Sequence, residues 1–208
     1  MLQRVGIAVR GDEIDAVLHL PDGETIGGVA VLGGRISDID AGTDVCEGMA
    51  AAGVAALRFA YRTAGDIPGN LADVAGAVRL LRAHPSIPQR IGVVGHSYGG
   101  AIAALAAGRD SRLRTAVLIA PPAERDYFGA IRPMAELSRT RAKVLIVIAT
   151  ADDVVDPADG ERYAALLRQA GVAHRLIAIE GADHQFTLPE HRSRLIAVVA
   201  QWAREVLA

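Results

Sequence analysis

The feature that most restricts the fold of this chain is a repeated switch between two hydrophobic periods. Short runs at residues 29–32, 54–59, 91–94, 115–119, 144–148 and 175–179 are apolar almost without interruption. Most are separated by longer stretches whose apolar residues recur three or four positions apart. A strand with one solvated face alternates apolar and polar residues, whereas a strand covered on both faces does not. The unbroken runs therefore predict strands held between two helical layers. Their alternation with helices predicts a mainly parallel, doubly wound sheet with right-handed crossovers. Residues 5–9 and 14–20 do alternate, on either side of Arg10-Gly11-Asp12-Glu13, and read as an antiparallel hairpin at a sheet edge.

Helix boundaries follow from capping chemistry. The stretch 44–52 ends at Gly53. Asn70 is placed to cap a helix carrying Leu71, Val74, Val78 and Leu81, with Asp73 answering the cap. Residues 97–107 are rich in Ala, which lets a helix lie close to a sheet. Asp156-Pro157 opens a helix over 158–169 that closes at Gly171, and Pro189 starts a last helix running to 206. With no repeat, low-complexity tract or linker, residues 1–208 read as a single domain.

Charge excludes some partners. The 22 basic and 24 acidic residues leave a formal net charge of −2, which offers no bulk attraction to nucleic acid or anionic membranes. All the basic residues but Lys143 are arginines, and they are scattered along the chain as compositional bias would scatter them. No apolar stretch is long enough for a membrane span, and the first residues lack a signal-peptide pattern. Cys46 stands alone, so no intrachain disulfide can form. A soluble, cytoplasmic protein is expected, acting on a small molecule, with no nucleic-acid or membrane partner.

In doubly wound sheets, functional groups gather beyond the carboxyl ends of the strands. Gly95-His96-Ser97-Tyr98-Gly99 lies there, directly after the run 91–94 and at the start of the Ala-rich helix. It matches the G-x-S-x-G elbow, which presents a serine on a sharp strand-to-helix turn. A serine hydroxyl needs a base to become nucleophilic. Of the six histidines, His19 lies in the hairpin, His84 at a helix end, His174 before the last strand and His191 in the last helix. His96, beside the serine, suits packing or hydrogen bonding. His184 follows the last strand in a loop and is placed to be the base.

The base in turn needs an acid that fixes its tautomer. Asp152 is the choice and Asp153 the rival, both leaving the end of 144–148, while Asp156 suits a helix cap. The order Ser97, Asp152, His184 is the one this strand–turn–helix arrangement carries. Two backbone N–H groups should face a developing oxyanion: that of Tyr98, and one from Gly33-Gly34-Arg35, with Arg35 assigned and Gly34 the alternative. Asp38, Asp40 and Asp44 lack the spacing of a cation site, and the Gly pairs at 27–28 and 33–34 make no dinucleotide fingerprint. Neither a metal nor a cofactor is expected.

Over its whole length the chain resembles compact α/β-hydrolases of the dienelactone hydrolase and small bacterial serine esterase type. The resemblance is carried by Leu32-Gly33-Gly34, by Leu57-Arg58-Phe59-Ala60-Tyr61-Arg62, by residues 95–100 and 152–157, and by Gly181-Ala182-Asp183-His184. Gly33 stands where many members have His, and Ser97 where the dienelactone enzymes carry Cys. The resemblance implies an α/β-hydrolase fold without a large cap domain. It also implies a serine hydrolase that cleaves carboxylic esters or related acyl bonds of small to medium soluble substrates through an acyl-enzyme on Ser97. Thioester or amide cleavage and acyl transfer would use the same parts, and a non-catalytic binding protein is the alternative of another class. Residues 120–143 are too few for a lid domain and include a predicted crossover helix at 133–139. Tyr127 and Phe128 there are candidate acyl-pocket contacts, with packing against the sheet as the alternative for Phe128.

Overall fold

The computed structural model describes residues 1–123, 125 and 128–208. Eight strands form one sheet: β1 (Leu2–Val9), β2 (Asp12–His19), β3 (Gly27–Leu32), β4 (Val54–Phe59), β5 (Ile91–His96), β6 (Thr115–Ile119), β7 (Lys143–Ala149) and β8 (His174–Ile179). They lie in the order β1-β2-β4-β3-β5-β6-β7-β8. The β1–β2 hairpin is antiparallel and β2 meets β4 antiparallel; every other pair is parallel. Among the described residues five helices connect strands, α1 (Thr43–Ala51), α2 (Ile67–Ala83), α3 (Tyr98–Arg109), α4 (Pro133–Leu137) and α5 (Pro157–Gln169), and a sixth, α6 (Pro189–Leu207), follows β8.

The unbroken apolar runs have the expected cause in β3 to β7, whereas β8, the run 175–179, is an edge strand and largely exposed. In β5, Ile91 and Val93 enter a core shared with α2, α3 and α5, while Val94 enters a second core under α1 and α6. In β7, Val144, Ile146 and Ile148 face the first layer, and Leu145, Val147 and Ala149 the second. Residues 98–107 of α3 are all buried, which small Ala and Gly side chains permit by bringing the helix close to the sheet. Truncating Ile102 to Ala in that layer is expected to cost about 2–5 kcal/mol.

Two local expectations are corrected. The hairpin strand β1 begins three residues earlier than the alternating pattern indicates, because Leu2 pairs with His19 on the rising strand. Helix α2 starts at Ile67, with Asp66 and not Asn70 as its cap; the Asp66 carboxylate accepts the Gly69 N–H at 3.2 Å. Pro68 is harmless there, since the first helical turn has no intrahelical use for its missing N–H. Asn70 lies inside the helix and is fully buried. Asp73 likewise has another task, holding the backbone and side chain of Arg62.

The topology sets where a site can form. β3 lies between β4 and β5, and the helices that follow β3 and β5, α1 and α3, cover opposite faces of the sheet. A crevice opens where successive connections diverge in this way, outside the carboxyl ends of the two strands. Residues 33–35 and Ser97 occupy its two sides. Residues 120–142 join β6 to β7; α4, five residues long, lies in this connection, and no cap domain is inserted among the described residues. No helix among them is long and apolar enough to cross a membrane.

Candidate active site

Ser97 sits between β5 and α3 at φ 55° and ψ −122°, a conformation that a residue with a side chain rarely adopts. Such a residue costs about 1–3 kcal/mol, supplied by its surroundings. Its N–H donates to the Ile119 carbonyl at 2.8 Å, and its own carbonyl accepts the Gly100 N–H at 2.8 Å. Two glycines make the turn possible. A Cβ on Gly95 would lie 2.0 Å from the Gly99 carbonyl oxygen, and one on Gly99 would lie 2.4 Å from that of Gly33. Gly95 thus lets the elbow close on itself, and Gly99 lets α3 press against the loop after β3. Among the described residues the other non-glycine positive φ angles fall at Arg10 in the hairpin turn, at Ala120 just beyond β6, and at Phe186 in the loop after β8. Three of these four strained positions therefore lie at the carboxyl end of the sheet.

The loops after β7 and β8 bring Asp152 and His184 together. His184 Nδ1 is 2.7 Å from Asp152 Oδ2, and His184 is only 4% exposed. Asp152 Oδ1 accepts the N–H groups of Val154 and Val155 at 2.9 and 2.8 Å. An ionised carboxylate can only accept, so the shared proton belongs to Nδ1 and the lone pair of the neutral imidazole to Nε2. Asp153, the next residue, is exposed. The two loops are joined by Gly181 N–H to Thr150 Oγ1 at 2.8 Å and by Ala151 N–H to the Ala182 carbonyl at 2.9 Å. Asp156 caps α5 as expected, accepting the Ala158 N–H at 3.0 Å.

The loop after β8 also reaches the elbow. His96 Nε2 lies 2.8 Å from the backbone carbonyl of His184, and the two imidazole rings are 4.8 Å apart, centre to centre. Burial, then the neighbouring His184, pushes the His96 pKa down to about 4. Tyr98, the first residue of α3, is anchored by its hydroxyl, which donates to Asn70 Oδ1 at 2.6 Å. Asn70 Nδ2 in turn donates to the Thr63 carbonyl at 2.8 Å. Sequence reasoning missed this anchor, because an amide near a helix start resembles a cap and nothing local links it to Tyr98.

The loop after β3 turns at Gly34, whose carbonyl accepts the Ser37 N–H at 3.3 Å. Arg35 is exposed on this turn, its side chain passing near Gly65. Of the two candidate pocket residues, Phe128 is buried in the core on the α2 and α3 side, and Tyr127 lies outside the described residues. The three acidic residues of the next segment have separate tasks. Asp38 accepts the N–H groups of Asp40 and Ala41, Asp40 pairs with Arg58, and Asp44 forms a two-point ion pair with Arg192 at 2.5 and 2.6 Å. That pairing with Arg192 holds the Asp44 carboxyl below its usual pKa.

A cavity of about 260 Å³ lies between the loops after β3 and β8, bordered by Gly33, Gly34, Ser37, His96, Gln185 and Arg192 among others. A larger depression of about 620 Å³ lies near His19, Glu47 and Arg204, at the far end of α1. Volume favours the second, but only the first touches residues adjoining Ser97 and His184.

Comparison with solved structures places this architecture among the α/β-hydrolases. Est1E from Butyrivibrio proteoclasticus superposes with a TM-score of 0.85 at 18% identity, covering 98% of each chain. The esterase domain of a Rhodothermus marinus protein gives 0.80 at 20% identity over 100% of both chains. Dienelactone hydrolase from Anabaena variabilis gives 0.77 at 21% identity, over 100% of this chain and 99% of that one. No curated protein sequence matches the chain. The profile of the dienelactone hydrolase family matches residues 62–207, a span holding the elbow and the loops after β7 and β8. The chain belongs to the dienelactone hydrolase family.

Proposed function

We propose that the chain is a serine hydrolase of carboxylic esters, with Ser97 as nucleophile, His184 as base and Asp152 as the acid that orients the base. The observation that carries this reading is the 2.7 Å bond between Asp152 and His184 Nδ1, made beside a strained serine elbow. With Nδ1–H committed to the carboxylate, Nε2 is the atom that takes the Ser97 proton as Oγ attacks the ester carbonyl. Negative charge then develops on the carbonyl oxygen, where the N–H of Tyr98 and that of Arg35 or Gly34 donate. Collapse of the tetrahedral intermediate expels the alcohol, which takes its proton from His184, and leaves an acyl group on Ser97. Water attacks the acyl-enzyme with His184 again as base, releasing the acid and restoring the serine.

Family membership and the esterases among the structural relatives support ester cleavage. Est1E has been solved with ferulic acid bound, which supports a small-molecule substrate here as well. The test is labelling by a fluorophosphonate probe together with a panel of p-nitrophenyl esters. The reading expects stoichiometric labelling of Ser97 and turnover of the short esters, both abolished in Ser97→Ala. Absence of both from the wild-type protein would overturn it.

A further inference from the structure

His96 follows Val94 by two positions on β5, and period-two alternation puts both side chains on the face covered by α6. The chain returns to that face through the loop that carries His184. We propose that His96 is a positioning residue, which holds the backbone of the base at a fixed distance from the nucleophile by donating its ring N–H to the His184 carbonyl. This inference rests on Ser97 and His184 being nucleophile and base.

The chemistry of the contact assigns its direction. A carbonyl oxygen only accepts, so His96 Nε2 must carry the hydrogen across the 2.8 Å separation. The bond joins the residue before the nucleophile directly to the base, and the elbow behind it is rigid. Ser97 is tied to Ile119 and Gly100, and Gly99 is pressed against Gly33. Elsewhere the base loop is fastened to the acid's loop through Gly181 and Ala182, or to itself through Asp183, which accepts from Phe186 and Thr187. Those bonds and Asp152 orient the imidazole towards its acid, whereas His96 registers it against the serine. The rings of His184 and Phe186 pack on His96 at 4.8 and 6.3 Å between centres, so it is also wedged in place.

Burial first, and the surrounding charges after it, keep the donor in one state. His184, Asp152 and Arg192 act on His96, and Arg192 is itself paired with Asp44. The net result is the depressed pKa already noted, so His96 stays neutral where a histidine base works. It therefore adds no second positive charge when His184 accepts the serine proton.

Three variants test the role. His96→Gln keeps an N–H at nearly the reach of Nε2, His96→Asn is one bond short, and His96→Phe keeps a ring without a donor. The measurements are kcat, KM, the rate of Ser97 labelling by a fluorophosphonate, and the thermal midpoint. His96→Phe and His96→Asn are expected to lose about 10- to 100-fold in kcat and in labelling rate, the size that a small misplacement of reacting groups produces. KM should stay within about twofold of wild type, and His96→Gln should recover to within about threefold in kcat. Wild-type kcat in His96→Phe, or equal losses in the Gln and Asn variants, would overturn the proposal. A change confined to KM for bulkier esters would overturn it too, making His96 merely a wall of the 260 Å³ cavity. If His96→Phe does not fold, the Gln and Asn pair decides alone. An inert, unlabelled wild-type protein would instead remove the assignment of Ser97 and His184, and the positioning role with it.

Discussion

Two buried histidines in this molecule differ in one respect that decides what each can do. His19, 2% exposed, accepts a hydrogen bond at 3.0 Å from Arg58 Nε, and Arg58 also binds the Ile39 carbonyl and the Asp40 carboxylate. His184, 4% exposed, donates from Nδ1 to Asp152. Burial is nearly the same, but the partners carry opposite charge. A guanidinium can only donate, so it occupies the lone pair of His19, and burial followed by that cation lowers the His19 pKa. A carboxylate takes the other proton, leaves a lone pair available on Nε2, and can stabilise the imidazolium that follows. The sign of its partner, not its seclusion, decides whether a buried histidine here keeps a ring nitrogen available for the base role proposed for His184.

The sharpest way to break this contrast is to remove the reacting groups themselves. Ser97→Ala and His184→Ala should each lower kcat by about 10⁴- to 10⁶-fold, with the thermal midpoint of Ser97→Ala close to wild type. Retention of a tenth of the activity in either would end the assignment.

Next in size is the exchange of adjacent acids. Asp152→Asn is expected to cost about 10⁴-fold in kcat, because an amide supports the wrong tautomer of His184. Asp153→Asn, altering an exposed side chain, should stay within about threefold of wild type. Steady-state kinetics on a p-nitrophenyl ester would reverse the assignment if the ranking were inverted.

His19 supplies the opposite signature. His19→Phe leaves the buried Arg58 Nε without its acceptor, a loss of about 1–3 kcal/mol in unfolding free energy with kcat unchanged. The pH dependence of stability tests the same pairing. His19 and His96 have folded-state pKa values below their unfolded value, so the unfolded chain binds more protons as pH falls. Their contribution to stability is complete above about pH 6.5 and is lost as pH falls below it, that of His96 towards about pH 4 where it titrates in the folded state. Urea unfolding between pH 8 and 4 should therefore lose part of its slope over that window in His19→Phe. An unchanged profile would separate His19 from the effect.

The smallest effect concerns the open side of the site. With no cap domain inserted among the described residues at 120–142, longer acyl chains find little further apolar surface. Each methylene is worth at most about 0.8 kcal/mol, roughly fourfold, and the gain in kcat/KM should stop between butyrate and octanoate esters. A steady rise to palmitate, with activation above its solubility limit, would point instead to a cover over the site.

Much of this was legible in the order of residues. The strands fall within two residues of the apolar runs, and β3 to β7 read this way because a strand packed on both faces has little room for polar side chains; β8, at the edge, is largely exposed. The elbow was legible because its glycines answer a local need: Gly95 and Gly99 are crowded by backbone one turn away or directly opposite. Asn70 was misread, since its partners Thr63 and Tyr98 are set by how α2 packs against α3. The bond from His96 to His184 spans 88 positions and left no local trace beyond the parity of a strand.

The order of residues alone fixed the alternation of layers, the serine at a strand-to-helix turn, and the chain order of Ser97, Asp152 and His184 on which the proposed triad rests. It favoured Asp152 over Asp153 but kept Asp153 as a rival, because the two share one local context. Tertiary structure separates them, because successive side chains leaving a strand point in different directions and the docking of the β7 and β8 loops decides which one meets an imidazole. Thr150 and Ala151 bind Gly181 and Ala182, and that stitch leaves Asp152 facing His184 and Asp153 in water.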